Sequence, residues 1–271
     1  MEWRKLKNII LIILLALNMA LAAFIGGPRL SAYARENQAR QEAVLFLEQK
    51  GIGLAEELIP EGEGHQPLMA QRDQQAEEAM ARSLLGAEAL REQQGGEVYR
   101  YMSDKGVIQF HSDGSFWAEL APEHFPVEGD GKEQALSVLE QLNFSGEIID
   151  EGESDLTLRQ CLEQGCLFGQ QATVTWSREG ISGISNGRRL YGAPVADTGR
   201  ESIDRATALI AFYNGLNRMG DVCSRVDRIE PGYISATSLN RVMTLTPVWR
   251  ITTDTGIYQL DLVDGALERM G

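Results

Sequence analysis

Residues 229–265 read IEPGYISATSLNRVMTLTPVWRITTDTGIYQLDLVDG, and this stretch decides the fold. Apolar and polar residues alternate along it, the period of half-buried strands. With its flanks it predicts strands at 225–236, 241–252, 256–263 and 266–269. Asp254-Thr255-Gly256 and Asp264-Gly265 are the turn signals between the later runs. Trp249 and Ile251 share one alternating face, and Tyr258 opposes them across a hairpin. Residues 201–219 come just before and change period. Ala206, Leu209, Ile210, Phe212, Tyr213 and Leu216 make the apolar face of a helix. A helix laid across antiparallel strands is an α+β unit.

The same unit recurs upstream. A helix is predicted at 132–143 on Ala135, Leu136, Leu139 and Leu142, with strands near 146–150, 156–163, 166–177 and 187–192. Before it, Val98–Tyr101, Val107–Phe110 and Phe116–Leu120 are separated by Asp/Gly turns, a β-meander. Residues 73–94 carry a helical period stopped by Gly95-Gly96, and residues 31–50 a helix ended by Gly51. Ile52, Leu54, Leu58 and Ile59 suggest a short strand ended by Pro60. The Pro-containing acidic stretch 121–131 divides the chain: 1–28 tip and anchor, 29–127 first α+β domain, 128–271 second.

Composition narrows the function. The chain has 25 Lys+Arg against 39 Asp+Glu, a net charge of −14. A nucleic-acid partner needs basic contacts with phosphates, so none is expected. An apolar fraction of 43% is too high for wholesale disorder.

Residues 9–25, IILIILLALNMALAAFI, carry no charge. Counted from Asn8 to Gly27 the uncharged stretch reaches the ~20 residues of a membrane-spanning helix. Arg4, Lys5 and Lys7 precede it, so this end is expected in the cytoplasm and everything after Pro28 outside. Trp3 suits the inner headgroup level. A cleaved signal peptide is the competing reading, with Ala20-Leu21-Ala22 and Ala32-Tyr33-Ala34 as small-x-small sites. Either way the address is export. Asn18 is an amide in hydrocarbon and asks for a hydrogen-bond partner, its own helix or another one. Ala16, Ala20, Ala23 and Gly27 form a small-residue stripe on roughly the other side, where a second helix can approach closely.

Catalytic and metal chemistry is not expected. His65, His111 and His124 have no partner at metal-ligand spacing, and His65 reads as a solvated loop residue. No phosphate-cradling loop or nucleophile elbow is present. Cys161 and Cys166 flank Leu-Glu-Gln-Gly. If 156–170 is a hairpin they face each other and can bridge outside the cell; in a helix they cannot. Cys223 then remains as a small buried hydrophobe. Trp117 and Trp176 lie in predicted strands and are expected in the core rather than on a glycan-binding face.

Two segments carry a family resemblance. MEWRKLKNIILIILLALN, with Trp3, basic Arg4–Lys7 and Asn18 in an apolar helix, resembles the start of the YycI and YycH regulatory proteins of Gram-positive bacteria. Gly232, Tyr233, Leu245, Pro247, Trp249, Ile251, Gly256, Tyr258, Asp264 and Gly265 form a skeleton similar to the end of YycI and to PepSY-type modules. Glu42–Lys50 followed by Gly51-Ile52 is also similar to YycI. The resemblance implies a single-pass membrane protein with an extracellular α+β part. It implies regulation of a cell-wall sensor histidine kinase of the WalK (YycG) type. The contacts would be membrane helices of the kinase and of a sister YycH-like protein, with Asn18 the first contact residue. No catalytic residue and no cofactor carry over. A secreted or anchored PepSY-like module that acts on an exported protease, and an envelope peptide- or glycan-binding module, are the alternatives.

Overall fold

The computed structural model describes residues 38–61, 65–127, 129–238 and 242–270. Among the described residues the fold is α+β: four α-helices lie against one large mixed sheet. The first helix, α1, is helical over 38–49 and buries Ala43, Val44 and Leu47. Helix α2 is Gln74–Leu85, capped by Asp73, whose carboxylate accepts from the Ala76 N–H. Helix α3 is Lys132–Gln141 and buries Ala135, Val138 and Leu139. Helix α4 is Arg205–Met219 and buries Ala208, Leu209, Phe212, Gly215 and Leu216 at the spacing of one face. Asp204 caps it by accepting from the Thr207 N–H.

The strands are β1 (Leu68–Gln71), β2 (Leu90–Gln94), β3 (Val98–Ser103), β4 (Gly106–Phe110), β5 (Ser115–Leu120), β6 (Gly146–Glu151) and β7 (Asp155–Leu162). They continue as β8 (Gly165–Ser177), β9 (Gly180–Arg188), β10 (Val195–Ala196), β11 (Val226–Thr237), β12 (Val242–Thr253), β13 (Ile257–Asp261) and β14 (Leu267–Met270). Along the main path the order is β10-β1-β12-β11-β8-β9-β5-β4-β3-β2; β13 and β14 extend from β12, and β7 and β6 from β8.

Strand β8 belongs to both halves. Its Thr173–Ser177 pairs with β9, while Cys166 and Leu167 pair in parallel with Gly232 and Tyr233 of β11. The expectation of purely antiparallel sheets is corrected here: this one parallel junction fuses them into a mixed sheet. Gly232 makes the junction possible, because a Cβ there would lie 2.6 Å from the Cys166 carbonyl oxygen and 2.7 Å from the Phe168 ring.

Two large cores result. One gathers α2, α3, β3–β5 and β7–β9 around Tyr101, Phe110, Phe116 and Phe144. The other gathers α1, α4 and β11–β13 around Phe212, Trp249, Ile251 and Tyr258. A small third cluster, with Leu167, Tyr191, Tyr233 and Leu245, sits between them. The cores therefore sort the chain differently from a division at 127/128: residues on both sides of that point share the first core, and α1 joins the second.

Other differences are local. Residues 52–59 form no strand; Glu56–Leu58 is a 3-10 turn, and only Gly53 bridges to Arg225. The helix expected to run to residue 94 stops at Gly86, and 90–94 pair with β3 instead. Helical period and long polar side chains are compatible with either state there, and a neighbouring strand decides. The strand expected at 187–192 is displaced to 180–188, where Gly180, Gly183 and Gly187 hide the alternation. The closing hairpin forms as read: Ile251 opposes Tyr258 and Trp249 opposes Leu260, all four buried.

Candidate functional site

A cleft of about 600 Å³ opens at the edge of the second core. One wall is the run into β1, with Pro60, His65, Gln66 and Pro67. The facing wall is the β10–α4 loop, with Asp197, Arg200, Ser202 and Ile203. The buried Trp249 and Leu262 line it as well. The volume is in the range of small-molecule sites, and the lining mixes apolar surface with a few polar groups.

The first wall is held by the hairpin tip of β7–β8. Cys161 and Cys166 are register partners there and are joined by a disulfide. The Gln164 carbonyl at the tip hydrogen-bonds the His65 ring. His65 packs tilted on Tyr233, with ring centroids 5.7 Å apart. The Tyr233 hydroxyl donates to the Gln66 carbonyl at 3.2 Å, and burial pushes its pKa up to about 12. Ser202 of the facing wall donates to the His65 carbonyl at 2.5 Å. His65 is thus half-buried, which corrects its reading as a solvated loop residue. Burial holds its pKa below 6.5, and the Arg205 charge works in the same direction.

The second wall is held by bonds within its loop and to β12. Asp197 accepts from the Gly199 N–H at 3.1 Å and from Arg200 Nε at 2.8 Å. Arg200 Nη1 donates to Thr246 at 3.2 Å. Arg200 Nη2 is shielded from water and has no hydrogen-bond partner. A buried donor left unpaired costs about 1–3 kcal/mol. Asp204 is spent on capping α4, since its two oxygens accept from the Thr207 N–H and hydroxyl.

A second cluster is ionic and fully enclosed. Arg72 forks onto Glu77, with Nε–Oε1 and Nη2–Oε2 both 2.9 Å, and Arg189 Nη1 approaches Glu77 Oε1 at 3.5 Å. Arg72 Nη1 also donates to the Glu97 carbonyl at 2.8 Å. Burial pulls the Arg189 pKa down, and the Glu77 carboxylate opposes this. This triad ties the run into α2 to the end of β9. It offers no opening to a ligand.

Asn18, Ala16, Ala20, Ala23 and Gly27 lie outside the described residues. Among the described residues no helix is long and apolar enough to cross a membrane. Glu147 lies beside Cys161 and Cys166, but disulfide sulfurs are not thiolates and do not make a zinc-type ligand set. Trp117 and Trp176 are half-buried rather than enclosed. Burial, then the Asp254 charge, raises the half-buried Cys223 thiol to about 11, so it stays protonated.

No family model matches the chain, and no curated protein matches it. Solved structures of similar course exist. An uncharacterized protein from Eubacterium rectale is 12% identical, with 77% of this chain and 82% of that one aligned at TM-score 0.38. The C-terminal domain of YpeB from Bacillus megaterium is 14% identical, with 74% and 99% aligned at TM-score 0.35. YycH from Bacillus subtilis is 12% identical, with 76% and 52% aligned at TM-score 0.34.

The cleft was not legible in the sequence. Its lining comes from separate runs around 60–67, 196–205, 249 and 262, and none carries a motif. The one local signal was Asp204 with Thr207, and that marks a helix start.

Proposed function

We propose that this chain is a membrane-anchored, extracytoplasmic regulator of a cell-wall-controlling sensor histidine kinase of the WalK type. The observation that carries the reading is the N-terminal sequence: Trp3, the Arg4–Lys7 basic run and an uncharged apolar stretch with Asn18. In this reading the N-terminus is cytoplasmic and the α+β part extracellular. The disulfide at Cys161–Cys166 supports an oxidising compartment for that part.

The mechanism is binding, with no bond made or broken. The anchor must favour one signalling state of the kinase over the other, since equal affinity for both shifts nothing. A few-fold change in output needs only ~1 kcal/mol of differential binding. One or two interhelical contacts, from Asn18 or from the stripe of Ala16, Ala20, Ala23 and Gly27, are of that size. A sister YycH-like protein would share the contact.

The test is photocrosslinking in native membranes from positions 18 and 20, with mass spectrometry of the adducts. A sensor histidine kinase trapped at either position is the expected result. A mature chain free of the membrane and lacking residues 1–28 would overturn it, in favour of a secreted PepSY-like module.

A further inference from the structure

We propose that Cys161, Cys166 and Glu147 form a redox-gated binding site for a thiophilic divalent cation such as zinc. The disulfide form is closed to metal, and reduction by a dithiol opens it. Three features of the described residues carry this.

The first is convergence. One Glu147 oxygen and the two sulfurs all lie within 4.8 Å of one another. Cys161 and Cys166 are register partners beside the two-residue hairpin tip Glu163-Gln164. The ladder pairs Leu162–Gly165 and Arg159–Gln171 flank them, so the two side chains stay together without their bond. Zinc–sulfur bonds of ~2.3 Å place two tetrahedral thiolates roughly 3.8 Å apart, which the ~4.5–5.5 Å Cβ spacing of a cross-strand pair allows. Strand β6 brings the third ligand. The Cys161 N–H donates to the Ser145 carbonyl at 2.9 Å. Gly146 permits this approach, because a Cβ there would lie 1.9 Å from the Arg159 carbonyl oxygen and 2.8 Å from the Cys161 nitrogen. Glu147 follows directly and is set beside the sulfurs. Two thiolates and a carboxylate, with one position left open, suit Zn²⁺.

The second is access. Both cysteines are half-buried and the tip residues are exposed, so a small dithiol can reach a sulfur. Arg159 Nη1 lies 2.5 Å from Glu147 Oε1, which puts a guanidinium at the rim of the site. A cation there favours thiolate over thiol.

The third is availability. The Glu147 side chain is 47% exposed, and its hydrogen bond to Arg159 engages Oε1. A surface ion pair of this kind contributes little, so a metal can take the carboxylate from it. The bridge itself closes a short loop in a hairpin already held by its ladder, which limits its value as a staple.

In the opening step one thiolate of the dithiol attacks a protein sulfur and the S–S bond breaks. The second thiolate of the reagent then releases the protein and closes a disulfide within the reagent. Two electrons pass to Cys161 and Cys166, which take up two protons. Zinc binding returns those protons to solvent as both thiolates ligate. The inference uses no residue of the anchor and stands apart from the kinase reading.

The experiment uses the full chain in lipid nanodiscs. Dithiothreitol should raise the thiols that react with a maleimide from one to three per chain, with circular dichroism unchanged. After anaerobic removal of the reductant, the reduced chain should take zinc from a chromogenic chelator. Cobalt(II) in its place should give a thiolate-to-metal charge-transfer band. The oxidised chain should show neither. Glu147→Gln keeps both thiols and should weaken zinc binding about tenfold. A chain carrying both Cys161→Ser and Cys166→Ser keeps Cys223 and should lose the cobalt band. Glu147 is exposed, so its variant still decides if the double variant fails to fold. A disulfide that opens only in the denatured chain, equal zinc uptake by the oxidised and reduced chains, or undiminished binding by Glu147→Gln would each overturn the inference.

Discussion

The two halves of the sheet solve the same packing problem with different materials. In the half built on α2 and α3, a helix crosses a meander and a charged triad sits beneath it. In the half built on α1 and α4, the interface is apolar: Phe212 meets Tyr258 edge-on, 6.1 Å between ring centroids, and Phe46 meets Tyr213 at 5.3 Å. The charged triad ties the run into α2 to the end of β9 through buried side chains. The second half holds its α4 lead-in loop both by turn and cap bonds within it and by bonds to distant residues, Arg200 to Thr246, Ser202 to His65 and the Ile203 N–H to the Leu262 carbonyl, and there the cleft stays open. One half thus buries charge among its side chains, and the other is apolar inside and keeps its polar groups at the cleft.

The strongest way to break the contrast is Glu77→Gln. It leaves Arg72 and Arg189 buried without their anion, and removing one partner of a buried pair costs about 3–5 kcal/mol. A urea denaturation series should show the loss. A change under 1 kcal/mol would mean that water reaches the triad. On the apolar side, Gly215→Val drives a side chain into Leu267, whose Cβ lies 2.4 Å from where a Cβ at 215 would stand. Overpacking of this kind costs about 1–3 kcal/mol. The same denaturation series measures it, and an unchanged midpoint would show that β14 yields.

Next comes the disulfide. Replacing both Cys161 and Cys166 by Ser removes a short closed loop, worth about 2 kcal/mol in the chain-entropy model. It should also loosen the Gln164 contact to His65, seen as a shift of the His65 ring signals in NMR. Unmoved signals would show that the hairpin tip holds without the bridge.

A matched pair sharpens the comparison. Asp73→Ala and Asp204→Ala each remove a helix cap of the same type and should cost about 1 kcal/mol apiece. A much larger loss at 204 would show that the cleft wall, and not only α4, depends on that carboxylate.

The smallest effect is the pH dependence at His65. Its pKa in the folded state is depressed by burial, so the unfolded chain binds the proton more readily. The stabilisation is present above the ordinary value near 6.5. It is lost as pH falls through the folded value. His65→Gln should flatten that part of the stability–pH curve. A slope that persists in the variant would assign it to other groups.

Strong period and clear turn residues made much of the fold legible. The closing hairpin, helices α3 and α4 and the meander follow from alternation, 3.6-residue spacing and Asp/Gly turns, all of which act over a few residues. Residues 90–94 read locally as helix because Glu, Gln and Arg are good helix formers, and only the presence of β3 alongside makes them a strand. Gly180–Arg188 was misplaced for a related reason: its glycines let β5 approach, a requirement set by the neighbour.

By itself, the sequence determined an α+β chain with a helix-then-strands repeat, an acidic balance and an uncharged N-terminal stretch of about the length that spans a bilayer. Those are matters of composition and short-range period. Tertiary structure alone decided that β8 and β11 join in parallel into one mixed sheet. It also decided that Arg72, Glu77 and Arg189 meet, and that four distant runs enclose a cleft. Each of these depends on contacts between residues far apart in the chain, where one backbone's position fixes what another can pair with, and no local pattern encodes that.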